Sequence, residues 1–214
     1  MNKEIKCSRF LPPYLYPYMV TTTTITYDEV VTEIDEQTSN EYILGQFQEF
    51  IAPIIQEGYV CFYTDGSKFD QDGLTGAGIF SPTLQLEIAH RLPSSVSVFT
   101  AEAWAILATL RFILDNNAPK AIILTDSKSV LEAIASSRLD IGNYLIFAIK
   151  NQIHLTSEAN LHVRFAWIPS HRGIADNETA DDLAKSGAKQ GDRIDLEIPY
   201  TDIFPEVNNS QSMV

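Results

Sequence analysis

The chain has 214 residues, 45% of them apolar, and a formal net charge of −13. That length allows one large domain, or one domain with extensions, and a sizeable core. No run of about 18 apolar residues occurs, so no membrane span is implied, and MNKEIKCSRFLPPYLYPYM lacks the uninterrupted apolar stretch and cleavage site of a signal peptide.

Residues 1–57 carry three basic and nine acidic side chains, prolines at 12, 13, 17 and 53, and a threonine run at 21–24. A weak helical pattern, Ile43, Phe47, Phe50 and Ile51, precedes Pro53. The stretch reads as a partly disordered lead-in or connector. Tyr59 to Thr64 is apolar, aromatic and β-branched, the composition of a strand buried on both faces. Cys61 alternates within it, so a buried thiol is expected rather than a disulfide, in keeping with a reducing, intracellular compartment. Asp65 follows, with Gly66 and Ser67 read as turn residues. A second turn at Asp70–Gly73 leads to a returning strand, Gly76–Phe80, which makes a hairpin. Leu84–Leu92 alternates as a third antiparallel strand.

Thr100–Asn116 has so few polar positions that a helix buried on most of its circumference is predicted, ended by Asn116, Asn117 and Pro119. Ala121–Thr125 is a short buried strand running into Asp126 and Ser127. Val130–Ala135 and Tyr144–Ile153 are helical in composition, Leu161–Trp167 alternates as a strand, Pro169–Gly173 is a loop, and Asn177–Ala188 is a last helix. Hairpin strands first and βαβ units later predict an α/β fold: a five-stranded mixed sheet in order 3-2-1-4-5, strand 2 antiparallel between 1 and 3, with helices on both faces. Residues 191–214 carry one basic and five acidic side chains, an acidic tail, whereas 58–190 carry eleven and fourteen. The acidity that would repel a polyanion therefore sits mostly in the flanks. On that ground residues 1–50 and 195–214 are expected to be dispensable and mildly inhibitory.

Four carboxylates occupy comparable places. Asp65 and Asp126 each end a predicted strand; if those strands are parallel neighbours, about 4.8 Å apart, the two converge at one edge. Glu102 lies in the first turn of the most apolar helix, and Asp181 one turn inside the last, beside Asp182. Each has a plain alternative: Asp65 taken singly is better read as a turn opener, and Glu102 suits a helix start. Gathered carboxylates repel and need cations, and an all-oxygen set suits Mg²⁺, or Mn²⁺ in its place, rather than Zn²⁺. Two such ions can activate a water and stabilise the leaving oxygen of a phosphodiester. His171, in the loop before the last helix, is a proton shuttle or, on position alone, equally an ordinary exposed histidine.

The ordered set FYTDGS, TGAGI, FTAEAWAIL, LTDSKSVL and WIPSHRGIADNETADDLAK resembles ribonuclease H of type 1 over residues 58–190. It is most similar to the version attached to reverse transcriptases of non-LTR retrotransposons, and PPYLYPYM and IPYTDIFPEV resemble the connectors around that domain. The resemblance implies a ribonuclease H-like fold and Mg²⁺-dependent endonucleolytic cleavage of the RNA strand of RNA–DNA hybrids. It carries the metal-binding carboxylates onto Asp65, Glu102, Asp126 and Asp181, the mobile catalytic histidine onto His171, and the helix-start asparagine onto Asn177. Gly66, Ser67, Ser127 and Asn177 are the expected contacts to substrate hydroxyls. A monomer is expected, with a reverse transcriptase domain encoded elsewhere as a further partner. Ser170 and Asp176 stand where the family usually has glycine, which puts the histidine loop and the turnover rate in question. The other readings are a catalytically silent nucleic-acid-binding domain of the same fold and a different nuclease or transposase built on the same sheet.

Overall fold

The computed structural model describes residues 7–8, 25–31, 35, 37–136 and 142–203. In chain order the elements are β1 (Cys7–Ser8), β2 (Asp28–Glu29), α1 (Asn40–Gln56), β3 (Val60–Lys68), β4 (Thr75–Ser81), β5 (Leu86–Leu92), α2 (Val98–Asp115), β6 (Lys120–Thr125), α3 (Lys128–Ala135), α4 (Tyr144–Glu158), β7 (His162–Trp167), α5 (Ala175–Gln190), β8 (Asp192–Arg193), β9 (Ile198–Pro199) and α6 (Tyr200–Ile203). The main sheet has seven strands in the order β2-β7-β6-β3-β4-β5-β8, not five. Its five long strands keep the predicted neighbours, with β4 antiparallel to both β3 and β5. The two extra strands are two-residue additions, β2 beside β7 and β8 beside β5, both parallel. Segments this short carry no period-2 signal of their own, which is why the sequence does not announce them.

Alternation along the central strands sorts their side chains between two cores. Phe62 of β3, Ala121 and Ile123 of β6 and Phe165 of β7 face α2, α3 and α4. Cys61 and Tyr63, Ile122 and Leu124, and Ala166 face α1 and the start of α5. Both faces are covered, so the middle of β3 and of β6 is buried throughout. Burial also pushes the Cys61 thiol up to about 11, consistent with an unreactive packing residue.

The expected lead-in differs most from what is found. The pattern of Ile43 and Phe47 continues through Ile51 and Ile54, and all four are buried in α1. Ser39 caps the helix by accepting from the Tyr42 N–H. Residues 40–56 are therefore a structural layer of the sheet, not a loose connector; the TTTT run and the first prolines lie outside the described residues. The acidic tail is likewise docked as far as Ile203. Leu196 and Ile198 are buried, and the Ser97 N–H and hydroxyl both donate to the Asp202 carboxylate at 2.8 Å, closing the positive start of α2. Cutting at residues 50 and 195 would remove Ile43, Phe47, Leu196 and Ile198 from the core, so trimming there is expected to cost stability. Charge alone suggests removal; apolar burial argues against it.

α5 reaches the sheet along a seam of small residues. A Cβ built on Gly78 would lie 2.2 Å from the Ala180 carbonyl oxygen, and one on Gly76 2.2 Å from that of Ala184. Glycine here serves close approach rather than a turn, and this contact sets where Asp181 stands.

Candidate active site

β3 and β6 run parallel with Thr64 opposite Thr125. The next residues, Asp65 and Asp126, therefore arrive together at the carboxyl edge of the sheet. β3 does not end at Asp65: Gly66 and Ser67 continue it, paired with Ala77 and Gly76 of β4. The turn expected at Gly66 and Ser67 is absent, whereas the one expected at Asp70–Gly73 is found, closed where the Phe69 N–H donates to the Leu74 carbonyl at 2.9 Å. Gly66 is glycine for another reason. A Cβ there would sit 2.4 Å from the Glu102 backbone nitrogen and 2.8 Å from the Ala101 carbonyl carbon, so its absence lets the start of α2 rest on the strand.

That approach delivers Glu102. Ligand oxygens of Asp65, Glu102 and Asp126 lie within 4.8 Å of one another. Asp65 and Glu102 are each 6% exposed, and Glu102 Oε2 is buried without a hydrogen-bond partner. An orphaned buried carboxylate oxygen facing two further carboxylates is costly unless something positive meets it. This all-oxygen set fits a hard divalent cation. Asp126 is half-buried and fixed through its backbone carbonyl, which accepts from the Trp167 indole and from the Lys128 N–H, both at 3.0 Å.

Asp181 belongs to a second group, with His171 and Glu178, in which ligand atoms again lie within 4.8 Å. His171 Nδ1 is 3.5 Å from Glu178 and 4.0 Å from Asp181, and Asp181 is ion-paired to Lys185. Sequence reasoning named His171 and Asp181 but missed Glu178 and Lys185. The signal was available: positions 178, 181 and 185 share one helix face. Asn177 is 2% exposed; its Nδ2 donates to Asp126 Oδ2 at 3.4 Å while its Oδ1 is buried and unpartnered. Ser127 is the N-cap residue of α3 without a side-chain capping bond, and Ser67 is half-buried on β3. Asp176 is held by the Tyr63 hydroxyl, which donates to it from the central strand, and burial followed by that carboxylate raises the phenol far above its ordinary value.

Burial, then the Asp126 and Asp181 charges, pushes Asp65 up to about 8. Burial, then Asp65 and Asp126, raises Glu102 well above the usual carboxylate range, opposed by a hydrogen bond from the Gly66 amide. A carboxyl whose folded pKa exceeds its unfolded one binds its proton more tightly when folded. Its stabilising contribution is complete below about pH 4 and is lost as pH rises through about 8. Chelator-treated protein should therefore melt at progressively lower temperature from pH 5 to 8.5. Asp65→Asn should flatten that fall. His90, held down mainly by burial, contributes the opposite slope below 6.5, so the wild-type and variant profiles must be compared with each other. A wild-type profile that rises with pH and is unchanged in Asp65→Asn would contradict the assignment of these strained acids.

No helix among the described residues is long and apolar enough to cross a membrane. The family model described as RNase H matches residues 57–189, more than half of the chain.

Proposed function

The chain belongs to the RNase H family, and from that premise we propose that it is a Mg²⁺-dependent endonuclease cutting the RNA strand of RNA–DNA hybrids, derived from a retrotransposon polyprotein. The observation that carries the reading is the convergence of Asp65, Glu102 and Asp126, with an unpartnered Glu102 oxygen, at one sheet edge. Those three, with Asp181 beside them, would hold the cations. When bound, such cations supply a nucleophilic water at neutral pH and stabilise the leaving oxygen of the phosphodiester.

The remaining work falls to the chain's own groups. Glu102 and Asp65, buried beside like charges, hold their protons more tightly than ordinary carboxyls do and would give them up on taking a cation. Asn177 orients Asp126 through its amide and leaves Oδ1 to accept from a substrate group. His171 is 66% exposed at its side chain, free to take a proton at the sheet edge and release it to solvent. A-form-like hybrids carry 2′-hydroxyls on one strand only. Ser67, Ser127 and Asn177, arranged around the acids, are suited to read them without touching bases. The Gly66 amide, already drawn to Asp65 and Glu102, would act through those acids.

The test is a labelled hybrid incubated with and without Mg²⁺, beside DNA–DNA and RNA–RNA duplexes. RNA-strand cleavage confined to the hybrid, little dependent on sequence and lost in chelator, is the expected result. His171→Ala should slow turnover by roughly 10²–10⁴-fold while leaving metal binding intact. Equal cutting of DNA duplex would overturn the reading. Metal-independent binding without cleavage would favour the silent domain.

A further inference from the structure

His171 sits in a conformation that its own contacts do not explain. Its φ is +52°, in the left-handed region that non-glycine residues avoid, and Gly173 follows at +83°. The imidazole is mostly exposed, so something else must hold the loop. Arg172, between these two positions, reaches away from the sheet edge to the segment ahead of α1. Its Nη2 donates to the Asp35 carbonyl at 3.2 Å and its Nη1 to Asn40 Oδ1 at 3.3 Å.

The receiving side is itself fixed. Thr38 Oγ1 donates to Asp35 Oδ1 at 2.7 Å and accepts from the Asp35 N–H at 3.0 Å, which closes a turn around that carbonyl. Asn40 opens α1, whose Ile43 is buried in one cluster with Ile174 from the far end of the loop. Leu44 approaches Gly173, its Cδ1 3.7 Å from where a Cβ would stand. All of these partners precede residue 57, where the family match begins.

We propose that Asp35 together with residues 37–44 is a positioning element for His171, with Arg172 as its latch: these residues hold the loop so that the imidazole stays beside Glu178 and Asp181. Arg172 touches no reacting atom and acts through its neighbour. The role in turnover rests on the hybrid-cleaving activity proposed above; the restraint on the loop does not.

The experiment is made on the full chain with Arg172→Ala, Arg172→Lys, His171→Ala and the Arg172→Ala/His171→Ala pair. Arg172→Ala is expected to lower kcat about tenfold, within the ~10²-fold that a 1 Å misplacement can cost, with KM and melting temperature unchanged. Lysine, which cannot bridge both acceptors, should restore only part. In the His171→Ala background the Arg172 change should add nothing, because there is no imidazole left to place. A structural role would instead lower the melting temperature and remain additive. Hydrogen exchange at amides 170–174 is measured in parallel and needs no activity. Faster exchange there in Arg172→Ala supports the latch even if wild type fails to cut hybrid, an outcome that would remove only the proposed activity. Unchanged exchange, or additive rate losses in an active enzyme, would overturn it.

Discussion

Asp65→Asn is expected to lower Mg²⁺-dependent cleavage of hybrid by roughly 10³-fold or more, the rate equivalent of several kcal/mol of lost charge stabilisation. The same is expected of Asp126→Asn. Asn keeps the shape and supplies a neutral carbonyl where the site gathers anionic oxygens within 4.8 Å. The loss should not come from unfolding. Asp65 is buried against two like charges, and its carboxyl is pushed up to about 8, so neutralising it relieves repulsion. In chelator at pH 8 the variant should melt at the same temperature as wild type or higher, while its thermal shift on adding Mg²⁺ should shrink. Single-turnover cleavage and melting with and without Mg²⁺ separate the two effects. Near-wild-type cleavage by either variant would remove the metal site from this edge. A large stability loss would mean that the acids are structural instead.

The second large effect concerns the seam under α5. Gly78→Ala is expected to lower stability by about 1–3 kcal/mol, and Gly78→Val by more. For a chain of this size that corresponds to roughly 2–12 °C in melting temperature. Strand propensity argues the reverse, since valine suits a pleated strand better than glycine. The steric argument wins because the clash is with backbone. The added Cβ would lie 2.2 Å from the Ala180 oxygen and 2.5 Å from the Ala184 nitrogen, and neither can rotate aside. α5 must move, and Asp181, one residue after Ala180, moves with it, so activity should fall further than stability alone explains. Gly45→Ala is the control. Nothing lies within 4 Å of its Cβ, and it sits inside α1, so it should stabilise by about 0.5–1 kcal/mol. A stabilised Gly78→Val would show that the seam is looser than its distances state.

The sequence by itself determined the order of the long elements and the place of the acids. Buried strands announce themselves as short β-branched runs, and an acid directly after such a run must emerge at the strand's edge. That logic carried Asp65 and Asp126 to adjacent positions, as the Thr64–Thr125 pairing places them. The apolar run also placed Glu102 in the first turn of its helix, but α2 begins at Val98, which leaves no acid in the first turn and sets Glu102 just beyond it. Tertiary structure alone decided what covers each face. Periodicity shows that a strand or helix has an apolar side, but not which partner meets it. The pattern in α1 was legible as a helix, yet its docking on Cys61, Tyr63, Ile122 and Leu124 was not. Glycine is ambiguous in the same way: Gly66 reads as a turn and proves to be a strand residue making room for α2, because a missing Cβ serves either purpose. The Ser97–Asp202 cap and the Arg172 latch join residues 105 and 137 positions apart, and the two-residue strands lack a period altogether. No local pattern encodes such pairings; they exist only once the sheet has brought their ends together.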